Sequence, residues 1–165
     1  MRLATGDAAA GASAEAACWG AFAAAAQLVG LAAQALDLTV GYVKVREQFG
    51  KPIGSFQAIK HHLANALTAI EMARPLVYRA AASIAAESPS RALDASIAKA
   101  RASVVAQQVV KLALQSHGAI GYSTEYDLHL WMKRIWALAA SWGDAGYHRA
   151  RIAAAVLDGD REVYP

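Results

Sequence analysis

The stretch from about Ser13 to Gln48 constrains this chain more than any other feature. Phe22, Leu28, Val29, Leu31, Leu36, Leu38, Val40 and Val43 recur there at helical spacing. They are set in alanine, which loses no side-chain entropy in a helix. A helix this long is stabilised mainly by packing its apolar face rather than by propensity. The remainder of the chain must therefore supply helices for it to pack against.

It does so in order. Gly50, Pro52 and Gly54 in "FGKPIGS" end the first helix. A second is expected from about Phe56 to Glu87, with Pro75 kinking it or marking a local break. "SPS" at 88–90 turns the chain into a third helix, about Arg91 to His117. After the loop "GAIGYST", Ser123 or Thr124 is placed to cap a fourth helix, about Glu125 to Trp142. "GDAG" at 143–146 precedes a short fifth helix, about Tyr147 to Leu157. No segment alternates like a strand, and no repeat recurs at a fixed period. The expected fold is all-α, an up-down four-helix bundle with a short extra C-terminal helix. The bundle covers residues 13–158, after a flexible linker stub at 1–12 and before a tail at 159–165.

Composition narrows the function classes. The 165 residues suit one domain, and 56% hydrophobic against 18% charged residues exclude a disordered chain. The most apolar stretch, Ala21–Leu36, is mostly alanine and carries Gln27 and Gln34, so no membrane span is expected. "MRLATGDAAAGASAEA" lacks the leucine-rich core of a secretion signal. Cys18 is the single cysteine, which fits a reducing, cytoplasmic setting. The formal charge of +3 is spread along the chain without interleaved aromatics, which argues against nucleic-acid binding. It would suit a phosphate-rich small molecule.

Few residues offer chemistry of their own. His61 and His62 are adjacent, point about 100° apart on a helix and cannot share a metal. Glu71, Asp94, Glu125 and Asp127 are scattered over solvated faces or helix starts. No nucleophile elbow, phosphate loop or strand-linked glycine motif is present. Trp131, Trp136 and Trp142, with Leu130 and Leu138, read as core by their helical spacing. "HGAIGY" reads as a C-cap loop. The segment "VREQFGKPIGSFQ" is left over: a plain interhelical loop needs neither an arginine nor two closely spaced aromatics and glutamines.

Two separated segments together resemble the C-terminal domain of the acyl-CoA dehydrogenase family. "YVKVREQFGKPIGSFQAIKHHLAN" (Tyr42–Asn65) is similar to the joint between that domain's first two helices. "LALQSHGAIGYSTEYDLHLWMKR" (Leu112–Arg134) is similar to the loop before its later helices. "AR" at 73–74 and "AKA" at 98–100 agree more loosely, so the resemblance covers about Ala14 to Ala155. It implies that the Arg-x-x-Phe-Gly turn reaches the FAD of a neighbouring subunit. Arg46 would then pair with the pyrophosphate, for which a planar multi-donor cation is suited. Gln48 would add a hydrogen bond, Phe49 would lie against the cofactor's rings, and Phe56 and Gln57 would line the same site. Gln115, Gly118 and Ala119 would let the backbone approach it, although the family has a second glycine where this chain has Ala119. On the residues alone, Arg46 could instead cap the first helix, with Phe49 and Phe56 packed between helices.

The resemblance also marks what these residues lack. Complete members carry an N-terminal helical domain and a middle β-domain, and the flavin ring lies against the latter. The chain is therefore expected to act as a fragment, a short product or one piece of an assembly, binding FAD weakly or not at all alone. The family's base, a glutamate tuned to take the α-proton of an acyl-CoA, aligns with Trp142 of the Trp142–Gly143 pair. In other members it sits on the first helix, aligned here with Gly20, next to an arginine aligned with Ala21. Glu15 is the nearest carboxylate. No catalytic or metal-binding residue is assigned. The expected role is the FAD-contacting and oligomerisation domain of a flavoprotein that desaturates an acyl-CoA of fatty-acid or steroid side-chain metabolism. It would belong to a non-catalytic subunit of a homo- or hetero-oligomer, with electron-transfer flavoprotein as a further partner. The alternatives are a domain of a related flavin-dependent monooxygenase and a helical assembly module that has lost flavin.

Overall fold

The computed structural model describes residues 6–157. Five α-helices account for most of them: α1 Asp7–Val45, α2 Gln57–Ala85, α3 Arg91–His117, α4 Leu128–Ala140 and α5 Ala145–Leu157. The first four alternate up and down. Near their starts, α1 and α3 are joined by an ion pair from Arg91 to Glu15 at 3.2 Å. Near their ends they are joined by the stacked rings of Tyr42 and His117, 4.3 Å apart. These two helices therefore run parallel and in direct contact, while α2 and α4 return alongside them. The fifth helix lies against α3.

The core is built largely from alanine. Ala24, Ala25, Ala32 and Ala35 of α1 meet Ala98, Ala102, Ala106 and Ala113 of α3, and Ala66, Ala73 and Ala80 of α2, around Leu28, Ile70, Val105, Val109, Leu128 and Ile135. Small side chains let the helices approach closely, and interior packing then rests on many short contacts. By length and composition α1 would suffice to cross a bilayer. Here one of its faces is instead consumed by the bundle core.

Several boundaries differ from the expectations for physical reasons. The first helix starts at Asp7, so residues 7–12 of the expected stub are helical. They lack bulky apolar residues but are rich in alanine, and Asp7 lies in the first turn, where its charge complements the helix dipole. The expected 159–165 tail lies outside the described residues. The end of α1 comes at Val45, because Arg46 is already extended. A minimal antiparallel ladder follows, β1 Glu47–Gln48 with β2 Lys51–Pro52, where only a loop was expected. The second helix passes through Pro75 as one helix. Pro75 is exposed, so the carbonyl that it leaves without an N–H partner can face water. The fourth helix is shorter than expected. Ser123 uses its hydroxyl to accept the Glu125 N–H within the preceding loop, and Asp127 precedes the helix without a side-chain cap. Trp136 and Leu130, expected in the core, are 47% and 55% exposed. Asp94 does sit at a helix start, but buried, where it accepts hydrogen bonds from Arg79 and Ser90.

Candidate cofactor site

The end of the bundle where α1 and α3 finish, and α2 and α4 begin, gathers both sequence segments. A tight hairpin projects from it. Glu47 faces Pro52 and Gln48 faces Lys51, leaving Phe49 and Gly50 as the turn. Both have positive φ, 54° and 77°. Two consecutive left-handed residues make the mirror-image turn whose twist suits a two-residue hairpin, and Asn-Gly or Gly-Gly normally fills it. A phenylalanine there is strained. Its ring gains little in return among the described residues: it is 92% exposed and meets the Phe56 ring in a T-shaped contact, at 6.2 Å between centroids. Lys51 Nζ lies 4.4 Å above the Phe56 ring. Behind the hairpin, Gly54 packs so tightly on α1 that a Cβ would stand 2.9 Å from the Val43 carbonyl oxygen.

Arg46 extends from this hairpin into solvent. Its backbone N–H donates to Tyr42 O, which ends α1, but its guanidinium makes no hydrogen bond or ion pair with the described residues. It therefore does not cap α1 with its side chain. Gln48, Gln57 and Gln115 are exposed, with side-chain amides likewise unbonded among the described residues. Phe56 is partly buried.

Gly118 ends α3 at φ 65°, and Ala119 is exposed in the 3-10 turn that follows. Nothing lies within 4 Å of the Cβ that residue 118 lacks, so its glycine answers the backbone angle rather than crowding inside this chain. Gln115 and Gly118 share a shallow depression of about 160 Å³ with Lys111, Leu114 and Tyr122. Ligand cavities that enclose a whole cofactor are about 300–1,000 Å³.

What ties the two segments together was not legible in either motif. Tyr42, one turn before Arg46, stacks on His117, and Tyr126 covers both rings at 5.8 and 4.7 Å. His117 Nδ1 donates to Ala113 O at 2.7 Å. Burial holds the imidazole below its ordinary pKa, so the ring stays neutral under the loop. Lys111 and Tyr122 were also missed. Their signal, helical spacing from Gln115 and adjacency to Gly121, is too common to single them out.

The aligned base positions lie at the opposite end. Trp142, also left-handed at φ 57°, lays its indole on α1 at Gly20. A Cβ on residue 20 would collide with indole Cδ2, Cε2 and Cε3. Glu15 is already engaged, accepting from Trp19 Nε1 at 2.9 Å and from Arg91. Beneath the turn lies Lys99, fully buried, with a pKa lowered to about 8 because burial disfavours its charge.

The residues at the hairpin end suit the diphosphate side of FAD. They offer a guanidinium and three amides unbonded among the described residues, and Lys44, Lys51 and Lys60 stand in the same stretch of sequence. They enclose no ring-sized cavity among the described residues.

The class of protein this defines is an up-down helical bundle with one arginine-bearing hairpin at its end. The acyl-CoA dehydrogenase C-terminal domain matches residues 11–157. Acyl-CoA dehydrogenase IpdE2 of Mycolicibacterium smegmatis is 39% identical over 133 residues, 81% of this chain and 41% of that protein. The 3-sulfinopropanoyl-CoA desulfinase of Paraburkholderia xenovorans is 39% identical over 134 residues, 81% of this chain and 34% of that protein. The solved butyryl-CoA dehydrogenase of Megasphaera elsdenii superposes with a TM-score of 0.82 at 38% identity, over 87% of this chain and 38% of that one. This chain belongs to the acyl-CoA dehydrogenase family, as its C-terminal helical domain. It spans well under half the length of these relatives.

Proposed function

We propose that this domain supplies the FAD-contacting hairpin and an assembly surface to an acyl-CoA-oxidising flavoprotein, in a subunit that does not itself supply the base. The separation of the two ends carries this reading. Arg46 lies 26 positions beyond Gly20 along and just past α1, about 39 Å at 1.5 Å per residue. One copy cannot place Arg46 and residue 142 around the same flavin ring. A cofactor met by Arg46, Gln48 and Gln115 is thus completed by another copy or another subunit. FAD, when bound, supplies the hydride acceptor. The residues of this chain contribute charge pairing from Arg46, amide hydrogen bonds from Gln48, Gln57 and Gln115, and ring contact from Phe49. Trp142 cannot take a proton near neutral pH.

The setting we infer is a cytoplasmic homo- or hetero-oligomer, with electron-transfer flavoprotein as acceptor of the electrons. Leu130 and Trp136, exposed on α4, are our choice for the assembly surface. The test uses the chain within its full-length context or beside its partner. FAD should bind there and bind weakly or not at all to the 165 residues alone, because immobilising the cofactor costs the same with fewer contacts to offset it. Arg46→Ala should weaken binding by about 1.5–3 kcal/mol, the scale of a charge-assisted hydrogen bond. A homo-oligomer should bind flavin and fail to desaturate acyl-CoA; steady-state turnover by it would refute the non-catalytic assignment. The missing carboxylate favours one second reading, a flavin-dependent monooxygenase domain, which oxygen consumption with reduced flavin would reveal.

A further inference from the structure

At the end of the bundle away from the hairpin, two buried side chains grip successive backbone carbonyls of one strained turn. Lys99, on α3, is 0% exposed. Its ammonium donates to Ser103 Oγ at 3.1 Å, to Ala139 O at 3.1 Å and to Gly143 O at 2.9 Å. His148, on α5 and also buried, donates from Nε2 to Trp142 O at 3.0 Å. Its Nδ1 has no partner among the described residues. The turn itself, Ser141–Asp144, carries Trp142 and Gly143 at φ 57° and 93°. A Cβ on Gly143 would strike the Tyr147 ring and His148 Nε2, so the turn is also pressed against α5.

The bland reading is that Lys99 caps the C-terminal carbonyls of α4, where a cation is favoured by the helix dipole. That fits Ala139 O, but a partly exposed lysine or water would do the same without desolvating an ammonium. Complete burial of a charge costs several kcal/mol before its partners compensate. The third bond, to Gly143 O, reaches beyond the helix into the turn. Together with His148, which holds Trp142 O, it fixes the two successive peptide groups that follow residue 142. The side chain so aimed lands on Gly20, where no Cβ obstructs it.

We infer that Lys99 is a positioning residue, clamping the Ser141–Asp144 turn from beneath and so setting the side chain at 142 against Gly20. The clamp needs no cofactor, and it stands whether or not the functional reading above is correct. In this chain it holds an indole. The same clamp would fix any other side chain at 142 along the same direction, because it grips backbone rather than side chain.

The 165-residue chain without flavin serves for the test, read by NMR near pH 7. The Trp142 indole N–H is identified by its loss in Trp142→Phe. In the parent chain, the Trp142 ring should show nuclear Overhauser contacts to the Gly20 α-protons. In Lys99→Met those contacts should vanish, and amide protection at 141–145 should fall by about ten-fold. The Trp131 indole and the helical circular dichroism should remain unchanged. Ser103→Ala, which removes only the intrahelical bond, should leave the Trp142 contacts in place. If Lys99→Met does not fold, Lys99→Gln replaces it and should give a partial loss. Intact Trp142–Gly20 contacts and intact protection in either folded Lys99 variant would overturn the assignment. Loosening that follows only a loss of global stability, equal at Trp131 and Trp142, would overturn it too.

Discussion

Burying Lys99 has a second consequence, visible in the pH dependence of stability. Its folded pKa is lowered from 10.5 to about 8 by desolvation, against a weaker favourable field from Asp144. Between those values the unfolded chain binds a proton at this residue that the folded chain does not. Stability from this group therefore rises with pH through the window, and the full penalty applies below pH 8. At about 1.4 kcal/mol per pKa unit, the whole window is worth about 3 kcal/mol. The parent chain would be compared with Lys99→Met by urea denaturation at intervals from pH 7 to 10. Cys18 and Tyr126, whose pKa values burial raises, contribute with the opposite sign at alkaline pH. Both proteins share them, so they cancel in the difference. Relative to the variant, the parent should gain about 1.4 kcal/mol per pH unit above pH 8. A difference that stays flat from pH 8 to 10 would show that the Lys99 ammonium is not desolvated, and the account of the clamp as a buried cation would fail with it.

Other perturbations separate packing from function. Gly20→Ala should cost about 1–3 kcal/mol by overpacking against the indole, and Trp142→Ala in the same chain should relieve most of it; additive losses in chemical denaturation would contradict the contact. Phe49→Asn should stabilise the isolated chain, by about 1 kcal/mol, because asparagine accepts the left-handed turn. The same change should weaken FAD binding in the assembled protein, and tighter binding there would count against a cofactor role. Leu28→Ala should lower stability by about 2–5 kcal/mol, a loss readable in the thermal midpoint. Acidification should also destabilise: His117 and His148 have folded pKa values pushed below 6.5 mainly by burial. Their contribution is present above pH 6.5 and lost as pH falls below it, which a titration monitored by circular dichroism would detect.

How much of this was readable without coordinates depended on the kind of signal. The third helix was placed from Arg91 to His117 because "SPS" and Gly118 bound it sharply. The up-down order followed from long helices joined by short turns. Helix starts were harder. The alanine-rich run after Asp7 has no bulky residue to mark a face, so it read as linker although it is helical. Arg46, Gln48, Phe49, Gln57, Gln115, Gly118 and Ala119 were recognisable as motifs, and the bundle brings their two segments to one end. The contacts behind them were not recognisable. Lys99 lies in a run of small residues, "ASIAKARAS", where nothing local shows whether a lysine points inward. Gly20 and Trp142 are more than a hundred residues apart, and a missing Cβ has no sequence signature until the ring that needs the space is known.

Among the described residues, three other than glycine hold a left-handed backbone, and two of them are Trp142, packed on α1 at Gly20, and Phe49, in the hairpin after α1. At Trp142 the strain has an internal compensation: two buried side chains bond the turn, and the indole packs on Gly20. At Phe49 no such compensation exists among the described residues. The ring is almost fully exposed, and among the described residues neither the Arg46 guanidinium nor the Gln48 side chain has a bonding partner. Strain of this kind, about 1–3 kcal/mol, persists where surrounding structure or a function requires it. The surrounding structure does require the hairpin's path, because Gly54 and the ladder pin it to α1. It does not require an aromatic ring at the tip, since asparagine or glycine would make the same turn with less strain. Among the described residues no contact selects phenylalanine at 49, and the proposed cofactor role would supply one beside the exposed Arg46.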